Sequence, residues 1–341
     1  MKRKELAQAW LNAHFAPHAV TLMPASADAS FRRYFRVMVA GQTDTYILMD
    51  APPDKENCAP FVQVASLLLE AGLTAPKILA QDLSQGFLLL TDLGRATLLE
   101  HFNTFALDPV QADPYMRAST RALVKWQQAS KPGVLPAYDE ALLRKELALF
   151  PEWFVGRHLG LSLDAKQQSV LEEAFDALVE SALAQPCVYV HRDFMSRNLM
   201  LSPEGAQGLP GILDFQDAVY GPITYDIASL TRDAFHSWDE EYVLDWTVRY
   251  WEAARTAGLP VEDDFSAFYR AFEWMGLQRH LKVAGIFCRL TYRDGKAKYL
   301  EDVPRFMGYI RATAHRYSRF TPLLRLIDTL ENIETKTGLT F

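Results

Sequence analysis

No apolar run in this chain approaches the roughly 18 residues that a membrane-spanning helix needs, so nothing in it reads as a span. The opening MKRKELAQAWLNAHF is basic but has no uninterrupted apolar segment, which argues against a secretory signal. Cysteine is scarce. Cys58, Cys187 and Cys288 lie far apart with no metal-ligand spacing, as expected of reduced thiols in a cytoplasmic protein. Positive charge is also short: the net charge is −7, which argues against a general nucleic-acid binder. There is no internal repeat and no low-complexity segment, and no feature specifies an oligomeric state.

What is present is length and apolar content: 341 residues, 49% of them hydrophobic, enough for about two lobes with their own cores. The most informative stretch runs VYVHRDFMSRNLMLSPEGAQGLPGILDFQD, from Val188 to Asp217. Its short apolar segments, VYV and GIL, read as buried strands with polar residues at their ends. Asp193 sits in His191-Arg192-Asp193, Asn198 follows five residues later, and Asp214 closes the second apolar run.

That order matches the catalytic-loop pattern H-R-D-x-x-x-x-N at each fixed position. The pattern suits phosphoryl transfer, which asks a protein chiefly to position groups and to meet negative charge. Asp193 is the expected base for an acceptor hydroxyl. Asn198 and Asp214 offer the hard oxygens that Mg²⁺ prefers. His191 reads as a structural residue holding the loop, because Asp193 already fills the base role.

Read in order, the chain predicts a helix over residues 1 to 20, with Leu6, Trp10 and Leu11 on one side. A small polar loop follows, Ser26-Ala27-Asp28-Ala29-Ser30, then strands over Phe31–Val39 and Thr45–Met49. Loop, strand, turn and strand in this order match the hairpin that covers the phosphates in a kinase small lobe. A helix is expected over Phe61–Glu70 and strands over Lys77–Ala80 and Phe87–Thr91. Thr91-Asp92-Leu93-Gly94 then leads out of the small sheet, where backbone groups can pair with an adenine edge. The expected organisation is α+β: a two-lobed protein-kinase-like fold with a small antiparallel-sheet lobe over 1–94 and a mainly helical lobe over 95–341. Helical spacing recurs at Tyr115–Gln128, Lys166–Leu183, Ile227–Leu230, Tyr242–Ala254, Phe265–Phe287 and Val303–Leu330.

This order of parts resembles the aminoglycoside phosphotransferase and choline kinase-like branch of the protein-kinase fold, over roughly Ser26 to Leu300. More narrowly, SADASFRRYFRV, YILMDAPPDKENCAPFV, HRDFMSRNLM, ILDFQDAVYGPITYDIASLTRD and YRDGKAKYLEDVPRF resemble the bacterial anomeric kinases of N-acetylmuramate and N-acetylglucosamine. The resemblance implies ATP and Mg²⁺ as cofactors, an amino-sugar acceptor phosphorylated at its anomeric hydroxyl, and a part in cell-wall sugar recycling. It makes Asp193 the base and Asn198 and Asp214 the Mg²⁺ ligands, with Asp226 bracing the catalytic loop. Ser26 to Ser30 would cover the phosphates, and Thr91, Asp92 and Leu93 would meet the base. Alternatives within the fold are an aminoglycoside or amino-alcohol acceptor; the alternative outside catalysis is a nucleotide-binding pseudokinase.

Two departures stand out. The phosphate-covering loop contains no glycine, and Met49 occupies the place of the small-lobe Lys, with Gln63 near the expected helix Glu. Arg32, Arg33, Arg36, Lys55 and Arg197 are the cations near enough in sequence to meet the phosphates instead, and Arg33 and Arg197 are favoured. On the acceptor side, residues 270 to 316 carry ten Lys/Arg against four acids, a local +6 that suits a neutral or carboxylate-bearing sugar. Arg279, Arg289 and Arg293 are the candidates for the carboxylate, and Trp274, Phe235 and Tyr220 for stacking on the ring.

Overall fold

The computed structural model describes residues 2–27 and 31–333. A five-stranded antiparallel sheet forms the small lobe, in the order β1-β2-β3-β5-β4. Its strands are β1 (Val20–Ala27), β2 (Arg33–Val39), β3 (Thr45–Asp50), β4 (Ile78–Asp82) and β5 (Phe87–Thr91). Alternation along β2 and β3 divides the side chains between two faces. Val37, Val39 and Leu48 pack with Phe87 and Leu89 against α1 (Lys2–Phe15). Met49, Leu88 and Leu90 face the other way, onto α2 (Ala59–Glu70). In α2 the buried positions are Phe61, Val64, Ala65 and Leu68, a single helical stripe, and Pro60 stands in its first turn, where a missing N–H is harmless.

The sheet ends at Thr91 and the large lobe begins with α3 (Leu98–Phe105), whose N-cap Thr97 forms a capping box with Glu100. The lobe is built from α4 (Pro109–Gln128), α5 (Glu140–Leu147), a π-helical turn at Phe150–His158, α6 (Ala165–Leu183), α7 (Tyr225–Thr231), α8 (Glu240–Thr256), α9 (Phe265–Tyr292), α10 (Val303–Arg316) and α11 (Thr321–Leu330). The 28-residue α9 is buried on nearly all sides through its middle and forms the axis of the large-lobe core. Two short antiparallel pairs interrupt the helices: β6 (Cys187–Val190) with β9 (Val219–Pro222), and β7 (Leu199–Met200) with β8 (Gly211–Ile212).

Several expectations shift. Leu6 is half exposed while Ala7 and Leu11 are fully buried, so the inner face of α1 is turned by one residue. Ser26 and Ala27 end β1, paired with Tyr34 and Arg33, rather than opening a loop. Asp28, Ala29 and Ser30, the rest of the expected phosphate loop, lie outside the described residues. The helix expected over Val303–Leu330 breaks at Tyr317, whose extended backbone starts a short 3₁₀ turn before α11 begins at Thr321-Pro322.

Candidate active site

Strand pairing explains why Asn198 and Asp214 meet. Asn198 immediately precedes β7 and Asp214 follows β8 by two residues. The Leu199–Ile212 register and the bond from the Leu213 amide to the Asn198 carbonyl (2.9 Å) set the two side by side. The Asn198 amide nitrogen donates to the Asp193 carbonyl at 2.9 Å and lies 3.5 Å from Asp214 Oδ2. Asp214 has left-handed backbone (φ 61°), and Gln216 donates to its Oδ1 at 2.9 Å. One carboxylate and one amide beside open space form a hard-oxygen set that suits Mg²⁺ completed by phosphate oxygens and water.

Asp193 lies in the turn after β6, half-buried, and its carboxylate makes no hydrogen bond to a described residue. The turn is held from below. Asp226, on α7, accepts the backbone N–H groups of His191 (2.6 Å) and Arg192 (3.0 Å). His191 donates from Nε2 to the Leu213 carbonyl (3.0 Å) and accepts the Asp193 amide at Nδ1 (3.2 Å), which fixes its tautomer. Burial lowers its pKa to about 4, so it is neutral near pH 7 and links the two loops as a structural residue. Asp233 likewise accepts the Ser196 amide (2.8 Å) and hydroxyl (2.6 Å).

A cavity of about 250 Å³ opens between the lobes, and Asn198, Asp214, Arg197, Thr91, Asp92 and Leu93 all line it. Ile47 and Leu90 form its roof, Met200 and Leu213 its floor, a flat apolar slot of the kind that takes a purine. Along the connection between lobes, the Thr91 amide is taken by the Lys77 carbonyl and the Gly94 amide by Asp92 Oδ1. The amide and carbonyl of Leu93 make no backbone hydrogen bond to a described residue, which leaves both for a base edge.

The cation that enters this cleft from the sheet is Arg36, not Arg33. Arg36 stands opposite Ile47 and binds Asp92 through Nε (2.5 Å) and Nη2 (3.1 Å), and the Gly94 carbonyl through Nη2 (2.7 Å). Thr45 adds a hydroxyl to the same carboxylate (2.6 Å), and these donors hold Asp92 below the usual carboxylate range despite its burial. Arg33 is one strand step off that face and pairs with Asp50, which Arg3 also binds, at the back of the sheet. Arg197 stacks its guanidinium 4.7 Å from the Phe235 ring centre and reaches the Tyr299 hydroxyl at 3.4 Å, so it lies between the cleft and the last helices. Met49 is fully buried, and Gln63 turns away to donate to the Val134 carbonyl (3.0 Å).

Of the six acceptor candidates, Arg279, Arg289, Arg293 and Trp274 do not converge. Arg279 is 1% exposed beneath the loop of residues 191–198, its Nη2 3.9 Å from the Met195 sulfur. Arg293 is exposed and paired with Asp294 (2.8 Å), and Arg289 is half-buried beside it, its pKa lowered by desolvation and by Arg293. Trp274 packs on Tyr317 and Phe320 and lines a separate hollow with Gln185 and Arg270, at the end of β6 away from Asp193. Much of the local positive charge is also consumed internally: Lys282 pairs with Glu146, Arg311 with Asp328 and Glu331, and Arg316 with Glu240 and Glu273.

Residues 21–261 match the sequence profile of the Phosphotransferase enzyme family. An N-acetylmuramate/N-acetylglucosamine kinase of Neisseria meningitidis serogroup B is 47% identical over the whole of both chains. One of Pseudomonas aeruginosa is 51% identical, covering 91% of this chain and 88% of its own. Among solved structures, the GDP complex of aminoglycoside 2′-phosphotransferase-IIIa superposes with a TM-score of 0.61 at 15% identity, over 92% of this chain and 99% of that one. The Plasmodium vivax ethanolamine kinase gives 0.60 at 13% identity, over 85% and 81%. These likenesses carry the fold of nucleotide-dependent small-molecule kinases.

Proposed function

The chain belongs to the phosphotransferase enzyme family, and from that premise we propose that it transfers the γ-phosphate of ATP to the anomeric hydroxyl of N-acetylmuramate or N-acetylglucosamine. The observation that carries the reading is that Asn198 and Asp214 line the interlobe cleft side by side while Asn198 also binds the Asp193 carbonyl, in a chain about half identical to kinases named for those sugars. A pseudokinase has no use for a base and two metal ligands held in register together. The sugar substrates suit a reduced, cytoplasmic enzyme with three free cysteines, and no described helix is long and apolar enough to cross a membrane.

In this reading Leu93 presents its amide and carbonyl to the adenine edge while Ile47, Leu90, Met200 and Leu213 sandwich the ring. Asn198 and Asp214 hold Mg²⁺, which when bound supplies charge neutralisation on the phosphates. Asp193 orients the acceptor hydroxyl and takes its proton as the new oxygen–phosphorus bond forms and the bond to ADP breaks. Arg197, within reach of both cleft and acceptor wall, meets negative charge that Met49, in the place of the kinase pattern's β3 Lys, leaves unmet. Phe235 and Tyr299 beside it offer faces for a sugar ring.

The test is ATP consumption with Mg²⁺ against N-acetylmuramate, N-acetylglucosamine, kanamycin, choline and homoserine. Turnover is expected with the two amino sugars; turnover with kanamycin or choline alone refutes the acceptor assignment. In the same assay Asp193→Asn is expected to lose about three or more orders of magnitude in kcat while still binding ATP, since a general base and its orientation are removed together. Wild-type turnover in that variant removes Asp193 from the mechanism.

A further inference from the structure

Arg192, the residue before Asp193, has a backbone conformation that arginine rarely adopts: φ is 76°, in the left-handed region. Glycine or asparagine would adopt it with little strain; for other residues such a conformation is strained and persists only where the surroundings over-determine it. The surroundings here do so with charge. The Arg192 guanidinium forms a salt bridge with Glu146 of α5 and donates to the Asp217 carbonyl at 3.3 Å. Glu146 is almost wholly buried and also binds Lys282 of α9 at 2.9 Å and the Tyr138 hydroxyl. Lys282 in turn donates to the Tyr225 hydroxyl at 3.0 Å.

A buried cluster of two cations and one carboxylate is a poor way to gain stability, because desolvation offsets most of the attraction. Its geometry suits positioning. Asp226 fixes the amides of His191 and Arg192, and Glu146 fixes the side chain of Arg192, so the peptide leading into Asp193 is clamped at the backbone and at the guanidinium. We propose that Glu146, anchored by Lys282, is a positioning residue for the catalytic base, acting through the left-handed Arg192. The inference rests on the reading of Asp193 as that base.

Electrostatics support the geometry. Lys282 and Arg192 hold the Glu146 carboxyl well down, at about 2, against the opposing effect of burial. It is therefore ionised throughout the physiological range. The groups facing it are Lys282, Arg192, Tyr138 and Gln278, and Gln278 is bonded at 3.4 Å.

The experiment compares kcat, the ATP KM and thermal unfolding of the full-length wild type, Asp193→Asn, Arg192→Gly, Arg192→Lys, Glu146→Gln and the Arg192→Gly/Glu146→Gln double variant, with N-acetylglucosamine as acceptor. Arg192→Gly is the decisive single variant, because glycine suits the backbone and leaves Glu146 paired with Lys282, so folding is retained. Its kcat is expected to fall about tenfold to a hundredfold with the ATP KM within about twofold, the size of effect that a displaced reacting group produces. Arg192→Lys, which keeps a cation, recovers part of that loss. Glu146→Gln shows the same split, and the double variant is no slower than the slower single, because both changes break one connection.

Wild-type kcat in Arg192→Gly overturns the proposal, even where Glu146→Gln fails to fold. Losses that multiply in the double variant also overturn it, since they assign Glu146 a separate role. If Asp193→Asn is itself active, the base reading falls first; if it is inactive while Arg192→Gly matches wild type, the positioning inference alone falls.

Discussion

Met49→Lys places an ammonium where the kinase pattern has its phosphate-binding lysine, and here that change is expected to disable the fold rather than improve the site. Met49 is fully buried between Tyr34 of β2 and Leu88 of β5, with the Phe61 and Val64 face of α2 above it. The α2 residue nearest the usual partner is Gln63, exposed and turned to Val134. A lysine there must shed its proton, and at pH 7 deprotonating a group of normal pKa about 10.4 costs about 4.6 kcal/mol, at 1.36 kcal/mol per unit. That is a large part of the roughly 5–15 kcal/mol by which folded domains are stable. The same argument fixes the sign with pH: the deficit shrinks as pH rises, by about 2.7 kcal/mol between pH 7 and pH 9 while the buried amine stays neutral. Urea unfolding of variant and wild type at both values measures it. A variant as stable as wild type at pH 7, with a lower ATP KM, would show that the side chain reaches the cleft and that this chain merely omits the lysine.

Arg36→Ala removes the guanidinium that ties Asp92 and the Gly94 carbonyl into the connection between lobes, so the ATP KM is expected to rise about tenfold with kcat little changed, as for a uniform binding contact; steady-state kinetics with varied ATP decide it, and an unchanged KM separates this cluster from nucleotide binding. Arg33→Ala, on the far face with Asp50, leaves both constants within about twofold, and a large rise in its ATP KM would contradict the placement of the two arginines. His191 is neutral when folded, with its pKa near 4 against an ordinary 6.5, so the unfolded chain takes the proton first. Its contribution to stability is complete above pH 6.5 and is withdrawn as pH falls toward 4, by up to about 3 kcal/mol. Denaturant titrations across that window should show a shallower acid limb in His191→Asn, and identical limbs would remove His191 as the cause.

The legible parts were those whose chemistry is local in sequence. His191 to Asn198 and Asp214 hold their pattern over a couple of dozen residues, and two short strands suffice to bring them together. The stripe Phe61, Val64, Ala65 and Leu68 has helical period, and those four side chains are the buried ones. The choice between Arg33 and Arg36 was less legible, although a strand places an odd-numbered separation on opposite faces. Which face looks toward the cleft depends on where α1 and α2 pack, and α1 takes the far side. How the excess of cations in the last helices is used was less legible for a similar reason. Sequence counts charges, whereas Lys282, Arg311 and Arg316 are matched by acids that are distant in the chain or at the C-terminal end.

The phosphotransferase pattern was written in the sequence alone, because His191-Arg192-Asp193, Asn198 and Asp214 stand at fixed spacing on one loop and one strand pair. The sequence also marked Met49 in the place of the kinase pattern's β3 lysine. How that replacement is lived with depends on packing. Arg36 is turned onto Asp92, Arg197 stands at the cleft, and Glu146 and Lys282, from helices well over a hundred residues apart, converge on Arg192. The physical reason is that a buried charge is tolerated only where a partner reaches it, and that partner is chosen by packing rather than by neighbourhood in the chain.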